Sequence, residues 1–374
     1  MKGSRQQPAG EPRRATIRDV AARAGVSTAT VSRVLNRNYP VAEETRDRVE
    51  GAMRELGYVV NAHARALAGT SNRTVGIIVS EIVDPFFAYI ARGVEREAAR
   101  TGRLCLVCCT QGDAKRELAF VDLLHEQRAD VVVLVGGSVV DRAYTAELTR
   151  RAEELHAGGS SLVLCGRPSL GGKVPAAVVE YDNEGGAFAI TDHLLTQGHR
   201  RILYLGGPPA VSTTLDRLAG YRRALDLRGV PSDEALVHTG AFSRAFGYRR
   251  TLELLAEGPD FTAIFAANDI VAAGAAQALE EAGLRVPEDV SLVGYDDVPV
   301  AQEMRPRLTT VHIPLEEMGR QAVRLATPAD EDDDAWQAPV SGPHRLGTHI
   351  VVRDSVAPPR TGRARGGARR PRSH

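Results

Sequence analysis

Residues 16–36 read TIRDVAARAGVSTATVSRVLN. Ile17, Val20, Ala21 and Ala24 recur at helical spacing, Gly25 stands where a helix end wants a left-handed residue, and Ser27 stands where an N-cap restarts a helix. The pattern predicts helix, tight turn, helix. The second helix, over about residues 27–35, buries Val31, Val34 and Leu35. Its first turn offers Ser27, Thr28, Ala29 and Ser32 outward, with Arg33 one turn on. Short side chains let a helix backbone approach the floor of a DNA major groove, and arginine pairs with guanine. A third helix, over residues 43–56, presents Val49, Met53 and Leu56 to close a three-helix core. Many short amphipathic helix pairs are packing units only, so the motif alone leaves that alternative open.

Residues 61–69, NAHARALAG, favour a helix too brief to be stable alone, with Leu67 its one large apolar residue. With this sequel the chain resembles the N-terminus of the LacI/GalR family of bacterial transcription regulators, with recognition helix, third helix and hinge in register. The resemblance implies that Ser27, Thr28, Ala29 and Arg33 hold base-reading positions. It implies a wider DNA-contacting set that adds Thr16, Thr30, Ser32, Asn36, Tyr58, Asn61, Ala64 and Leu67. It further implies that the hinge helices of two subunits pair on operator DNA and that each inserts a leucine, here Leu67, into a minor-groove base step. Such an apolar wedge costs roughly a few kcal/mol of unstacking, offset by a wider interface with bent DNA. The alternative for Leu67 is a linker residue packed on the following domain.

Composition first looks unpromising for a DNA binder, because the 374 residues carry no net charge. The average hides a segregation. Residues 1–72 hold twelve Lys/Arg against seven Asp/Glu, residues 357–374 hold six Arg and no acid, and residues 73–356 keep twenty-nine basic against forty acidic groups. Basic ends and an acidic body favour nucleic-acid contact through the N-terminal module. Residues 1–15 and 357–374, polar and rich in Pro, Gly and Arg, are expected to be disordered tails. No apolar run approaches a membrane span and no signal peptide is evident, so a cytoplasmic protein without membrane contact is expected. Cys105, Cys108 and Cys109 lie in one apolar run and Cys165 in another, and all four are expected to be buried strand thiols. A metal reading of Cys105 and Cys108 lacks a second ligand pair.

From Arg73 onward, short Val/Ile/Leu runs at residues 75–79, 104–108, 131–135, 162–165, 177–179, 202–205, 263–266 and 291–293 alternate with amphipathic stretches. Those stretches cover residues 86–100, 114–127, 184–196, 218–228, 244–257 and 270–281. Strands apolar on both faces, alternating with helices, predict parallel sheets covered on both sides, and so many strands suit two sheets better than one. Ligands of such sheets bind beyond the carboxyl ends of the strands. After residue 79 come Asp84, Phe86 and Phe87; after residue 266 come Asn268 and Asp269; after residue 293 come Tyr295, Asp296 and Asp297. Carboxylates and amides beside an aromatic face suit a polyhydroxylated ligand. Arg217 adds a donor and Phe242 a second ring. Alternatives stay open: Asp84 and Asn268 can cap helices, Phe87 can be core, and Asp297 can be a salt bridge.

The resemblance extends through this body to about Pro358, carried by DPFF (84–87), RLAGY (217–221), FAAND (265–269), RVPEDVSLVGYDD (285–297) and LTTV (308–311). It implies an effector domain similar to type I periplasmic sugar-binding proteins, α/β with two lobes, three chain crossings and a small ligand in the cleft. The implied plan is a tail over residues 1–15, an all-α helix-turn-helix domain over 16–60, a hinge helix and linker over 61–72, a two-lobed effector and dimerisation domain over 73–356, and a tail over 357–374. The candidate ligand contacts are Asp84, Phe86, Phe87, Arg167, Arg217, Phe242, Asn268 and Asp296. Gly166 stands where many members place an aspartate, and Leu215 where relatives often have Arg or another polar residue, which points away from a standard hexose contact set. Asp330 to Asp334 includes a run of acids that reads as an exposed insertion, with a metal site as the alternative.

No catalytic triad, zinc spacing or phosphate loop stands out, and the Gly206-Gly207-Pro208-Pro209 loop lacks the Lys-Ser/Thr of a nucleotide site. The expectation is a non-enzyme without cofactor: a ligand-responsive, sequence-specific DNA-binding transcriptional repressor. It would act as a homodimer on a near-palindromic operator, with a sugar or related metabolite as effector. The alternative is a transport-type sugar-binding protein that does not use its N-terminal module on DNA.

Overall fold

The computed structural model describes residues 15–36, 39–58, 74–258, 260–327 and 342–360. The expected hinge segment with Asn61, Ala64 and Leu67, the acidic run Asp330 to Asp334, and nearly all of both expected tails lie outside the described residues. The chain divides into two units, Met1–Asn72 and Arg73–His374.

The first unit holds three helices among the described residues: α1 (Ile17–Ala24), α2 (Thr28–Asn36) and α3 (Glu43–Glu55). Thr16 and Asp19 form a capping box that starts α1, and Gly25 ends it in the left-handed region at φ 66°. The Ser27 hydroxyl accepts the Thr30 N–H at 3.1 Å and starts α2. Val20, Ala21, Ala24, Val31, Val49 and Ala52 form the core, with Val34, Leu35, Met53 and Tyr58 packed around it. Leu56 corrects the expected core. It caps the end of α3 and is 36% exposed, while Ala52 fills the core position on the inward face.

The second unit is built on two parallel sheets. The N-lobe sheet joins β1 (Thr74–Val79), β2 (Leu104–Cys109), β3 (Val131–Val135), β4 (Ser161–Cys165), β5 (Ala176–Tyr181) and β11 (His344–Leu346) in the order β11-β5-β4-β3-β1-β2. The C-lobe sheet joins β6 (Ile202–Leu205), β7 (Val237–His238), β8 (Ala263–Ala266) and β9 (Ser291–Val293) in the order β7-β6-β8-β9. Each order reverses direction once, between β1 and β3 and between β6 and β8. Crevices open beyond the strand ends at such switch points.

The chain passes between lobes three times: from β5 into α7 (Asn183–Thr196), from β10 (Thr310–His312) into α12 (Leu315–Ala326), and from β11 into β12 (His349–Val351). β10 and β12 pair antiparallel, so two of the crossings support each other. One apolar cluster runs through both lobes, including Val75, Val133 and Val163 on one side and Ile190, Tyr204 and Phe265 on the other.

The eight expected strands all form, as do the expected helices: α4 (Pro85–Arg100), α5 (Ala114–Glu126), α7, α8 (Ser212–Leu227), α9 (Arg244–Glu257) and α10 (Asp269–Glu281). α8 begins six residues before its expected start at residue 218, because Ser212, Thr213, Thr214 and Arg217 are all buried and leave no amphipathic period to read. The helices α6 (Arg142–Ala157) and α12, the short α11 (Val300–Glu303) and strands β7 and β10 to β12 were not anticipated. β2 was expected to be covered on both faces; instead it is the sheet edge, with Leu104 62% and Val107 47% exposed. For the same reason Cys105, Cys108 and Cys109 are only half-buried, and Cys165, in the sheet interior, is the fully buried thiol. Cys105 and Cys108 point to opposite faces of β2, as residues three apart on a strand must. The tail expected from Ala357 is anchored over its first four residues. Ala357 bonds Ser291 and His199, and Arg360 pairs with Asp289.

The lobes are stiffened by three helix pairs, α4 with α12, α7 with α8 and α9 with α10, whose backbones meet at glycines. A Cβ added at Gly319 of α12 would collide with the Ile90 carbonyl oxygen, and one at Gly93 of α4 with the Glu316 carbonyl oxygen. Backbone cannot swing aside as a flexible side chain does, so Gly319→Ala is expected to destabilise the second unit by about 2–3 kcal/mol in urea unfolding. A loss within about 0.5 kcal/mol would mean that the pair accommodates the methyl.

Candidate functional site

In the first unit, the start of α2 presents Ser27, Thr28 and Ala29 to solvent, and Arg33 is exposed with its guanidinium 5.9 Å from the Tyr39 ring centre. Thr30 and Ser32 are half-buried. The Thr30 hydroxyl lies 2.9 Å from that of Ser27. Thr16 is engaged in the cap of α1, Asn36 is the last residue of α2, and Tyr58 packs at the rim of the core. One helix start thus bears short polar side chains followed by an exposed cation, the arrangement that fits a major groove.

In the second unit, the loops after β1, β3, β6 and β8 surround a cavity of about 370 Å³, at both switch points. All eight expected ligand residues lie in its wall. Their roles differ.

Arg217, on the buried side of α8, is 2% exposed and sits under the cavity. It donates to Asn183 Oδ1 at 3.0 Å, to the Ala267 carbonyl, to the Tyr181 hydroxyl at 3.3 Å and to Asp296 Oδ1 at 3.1 Å. Its guanidinium lies 3.7 Å from the centre of the Tyr295 ring. Burial pushes the Asp296 carboxyl up to about 7, against the pull of Arg217 and with a further push from Asp84. Asp296 also holds φ 106°, a strained value for a residue with a side chain. Behind it the fully buried Asp269 accepts from Thr310 Oγ1 at 2.6 Å and from the Val298 N–H at 2.9 Å, and ties this loop to β10.

Asp84 and Asn268 cap α4 and α10 and line the cavity at the same time. Asp84 Oδ1 accepts the Phe86 N–H and Asn268 Oδ1 the Val271 N–H, both at 2.9 Å. Burial raises the Asp84 carboxyl above its usual range. No partner among the described residues takes Asp84 Oδ2, Asp296 Oδ2 or Asn268 Nδ2. The aromatic surface comes from Phe86 and Phe87, packed edge to face at 5.1 Å, and from Phe242.

Arg167 corrects its expected role. Its five N–H donors go to Gly136 O at 2.9 Å, Val135 O at 3.2 Å, both Glu117 oxygens at 2.9 and 3.2 Å and the Tyr144 hydroxyl at 3.2 Å. It braces the wall and has no donor left for a ligand. Burial disfavours the Glu117 carboxylate, yet Arg167 outweighs it and holds the group below its ordinary range. Leu215, read as a departure affecting the contact set, is 43% exposed and outside the cavity wall. Glu117, Tyr144, Tyr181 and Thr213 line the cavity and were missed. The repeat of Tyr144, Leu148, Ala152 and Leu155 along α6 was the available signal for Tyr144.

A helix-turn-helix unit and a two-lobed cleft with a buried polar floor, carried on one chain, define a ligand-responsive DNA-binding regulator of transcription. Sequence profiles agree: that of bacterial regulatory proteins of the lacI family matches residues 16–61, and that of the periplasmic binding protein-like domain matches residues 191–356. The transcriptional regulator GalR of Escherichia coli (strain K12) is 38% identical over 312 residues, 83% of this chain and 88% of its own. Among solved structures, the lac repressor dimer bound to operator and the anti-inducer ONPF is 27% identical and covers 92% of this chain and 100% of its own, with a TM-score of 0.75. The complex of the regulator CelR with cellobiose is 36% identical and covers 91% and 100%, with a TM-score of 0.63. The chain belongs to the lacI family of bacterial regulatory proteins.

Removing one partner of a buried ion pair leaves an uncompensated charge, so Glu117→Gln is expected to destabilise the protein by about 3 kcal/mol in urea unfolding. The double variant Glu117→Gln/Arg167→Met should recover most of that loss. Equal losses in both would mean that an uncompensated Arg167 charge is not the source of the loss.

Proposed function

We propose that the protein is a cytoplasmic repressor that binds a near-palindromic operator as a homodimer, and that its effector is an uncharged polyhydroxylated molecule, a sugar or close relative, held in the cleft. The effector reading is carried by one observation: Asp84, Asp296 and Asn268 of the cavity wall each keep a polar atom without a partner among the described residues, while Arg167 has no free donor and four of the five Arg217 donors already have protein partners. Hydroxyl groups suit those acceptors; phosphate or carboxylate would face Asp84 and Asp296 with no free cation nearby. Phe86, Phe87 and Phe242 supply an apolar plate for the C–H face of a ring. Asp84, Arg217, Asn268 and Asp296 are the proposed polar contacts, with Arg217 acting mainly through Asp296.

The dimer is supported by the bare edge strand β2 with exposed Leu104 and Val107, and by the dimeric assembly of the lac repressor relative. Cytoplasmic work fits a DNA ligand, and among the described residues no helix is long and apolar enough to cross a membrane. The base-reading role of Ser27, Thr28, Ala29 and Arg33 rests on their exposure at the start of α2; the roles of Asn61, Ala64 and Leu67 rest on the family resemblance alone. Two copies place two recognition helices on successive major grooves, and ligand-driven movement of the lobes is transmitted through residues 61–72. A coupling of about 1–3 kcal/mol suffices to change operator affinity by roughly 5–150-fold.

Gel shift against the DNA flanking its own reading frame tests the regulator reading, and silence on every fragment, with or without small molecules, would sink it. Arg33→Ala is expected to lose about 1–3 kcal/mol of discrimination between operator and random DNA while keeping weak, salt-sensitive binding. Unchanged selectivity would remove Arg33 from the reading set. For the cleft, the ionised carboxylate is the better acceptor of a ligand hydroxyl, so affinity should rise as pH climbs through about 7, where Asp296 loses its proton. Calorimetry with the sugar that gives the largest thermal shift should show roughly tenfold tighter binding at pH 8 than at pH 6. Asp296→Asn should abolish that slope; a flat wild-type profile would take Asp296 out of the contact set.

A further inference from the structure

The lips of the cleft are joined by main-chain bonds that belong to neither lobe alone. The loop after β3 brings Ser138, Val139 and Val140 from the N-lobe, and the loop after β6 brings Ala210, Val211 and Ser212 from the C-lobe. The Val140 N–H donates to the Ala210 carbonyl at 2.9 Å, and the Ser212 N–H donates to the Ser138 carbonyl at 2.9 Å. The Ser138 N–H donates to Ser212 Oγ at 3.1 Å, and Val139 and Val211 form an antiparallel bridge. None of the three chain crossings passes through these residues. The lobes therefore touch here by choice of contact and not by connectivity.

One position makes the approach possible. A Cβ added at Gly137 would lie 2.5 Å from Val211 Cγ1 and 2.5 Å from Thr213 Oγ1. Both are β-branched side chains with stiff χ1, and Thr213 is 6% exposed, so neither can turn away easily. The lips reach hydrogen-bonding distance because residue 137 has no side chain.

We propose that this contact is a latch that holds the cleft mouth shut, and that Gly137 is the residue that permits it. The bonds run from protein to protein, so they need no bound molecule. Val139, Ala210 and Val211 also line the cavity, so the latch closes the part of the mouth that they border, and passage there waits for the latch to open. An effector then adds weight to a closed state that the chain already populates instead of creating that state. The latch goes beyond the effector reading and is independent of the effector's identity, so either can fail while the other stands.

The test is amide hydrogen exchange on the full chain with no small molecule added, in wild type, Gly137→Ala and Ser212→Ala. In wild type the amides of Val140 and Ser212 are expected to be protected, although Val140 lies in a loop and Ser212 in the first turn of α8, where an N–H has no partner within the helix. Gly137→Ala should speed their exchange by about tenfold or more while leaving amides of β3 and β6 unchanged. Adding Val211→Ala and Thr213→Ala to Gly137→Ala removes both obstructing atoms and should restore protection. Ser212→Ala, which adds no atoms, should free the Ser138 amide selectively. Fast exchange at Val140 and Ser212 in wild type overturns the latch, as does a Gly137→Ala profile identical to wild type. If Gly137→Ala also exposes β3 and β6, Ser212→Ala decides: an unmoved Ser138 amide overturns the latch and a freed one upholds it.

Discussion

A guanidinium buried at the centre of the second unit must be surrounded by acceptors, and the surroundings of Arg217 organise the cleft. Its partners come from three places far apart in the chain: Tyr181 and Asn183 at the junction of β5 and α7, the carbonyl of Ala267 beyond β8, and Asp296 beyond β9. The Tyr295 ring covers its face. An unpaired charge at that depth would be prohibitive, so all three segments are held together whenever the unit is folded. The same constraint sustains the positive φ of Asp296 and holds one of its oxygens, so that the other faces the cavity. The ligand floor is thus set before any ligand arrives, which reduces the ordering that binding requires.

The N-lobe solves a similar problem with a different result. Arg167 saturates itself on Glu117, Tyr144 and two carbonyls, and Glu117 is neutralised in the process. That wall offers the cavity the rings of Phe86, Phe87 and Tyr144 together with the Asp84 and Asp113 carboxylates and the Ser80 and Thr110 hydroxyls. The two halves therefore differ in character: a network centred on Arg217 in the C-lobe, and paired Phe86 and Phe87 rings flanked by polar side chains in the N-lobe. That asymmetry suits a ring with hydroxyls on one side and carbon on the other.

Movement of the lobes requires each to be stiff in itself and the joints between them to be few. The glycine-mediated contacts of α4 with α12, α7 with α8 and α9 with α10 bring helix backbones together with little room to slide. Three short crossings, two of them paired as β10 and β12, are left to absorb rotation. Asp269 ties one of them to the cleft, because it holds both Thr310 of β10 and Val298 of the loop that carries Asp296. The path from ligand floor to crossing is then one carboxylate long.

Local pattern was enough for the helix-turn-helix, because the Ser27 cap, a left-handed Gly25 and the spacing of Val20, Ala24 and Val31 act within a few residues of one another. It was enough for the eight strands and for placing Asp84, Asn268 and Asp296 beside the cavity, since apolar runs and the residues just beyond them are contiguous in sequence. It failed where burial erased the helical period, as at Ser212 to Arg217, and where sheet order decided exposure, as at the edge strand β2. The saturation of Arg167, the presence of Glu117 and Tyr181 in the wall, and the contact of Gly137 with Val211 and Thr213 were decided by tertiary structure alone. Each depends on which distant segments become neighbours, and hydrogen-bond saturation or a missing Cβ has meaning only once the neighbour is in place.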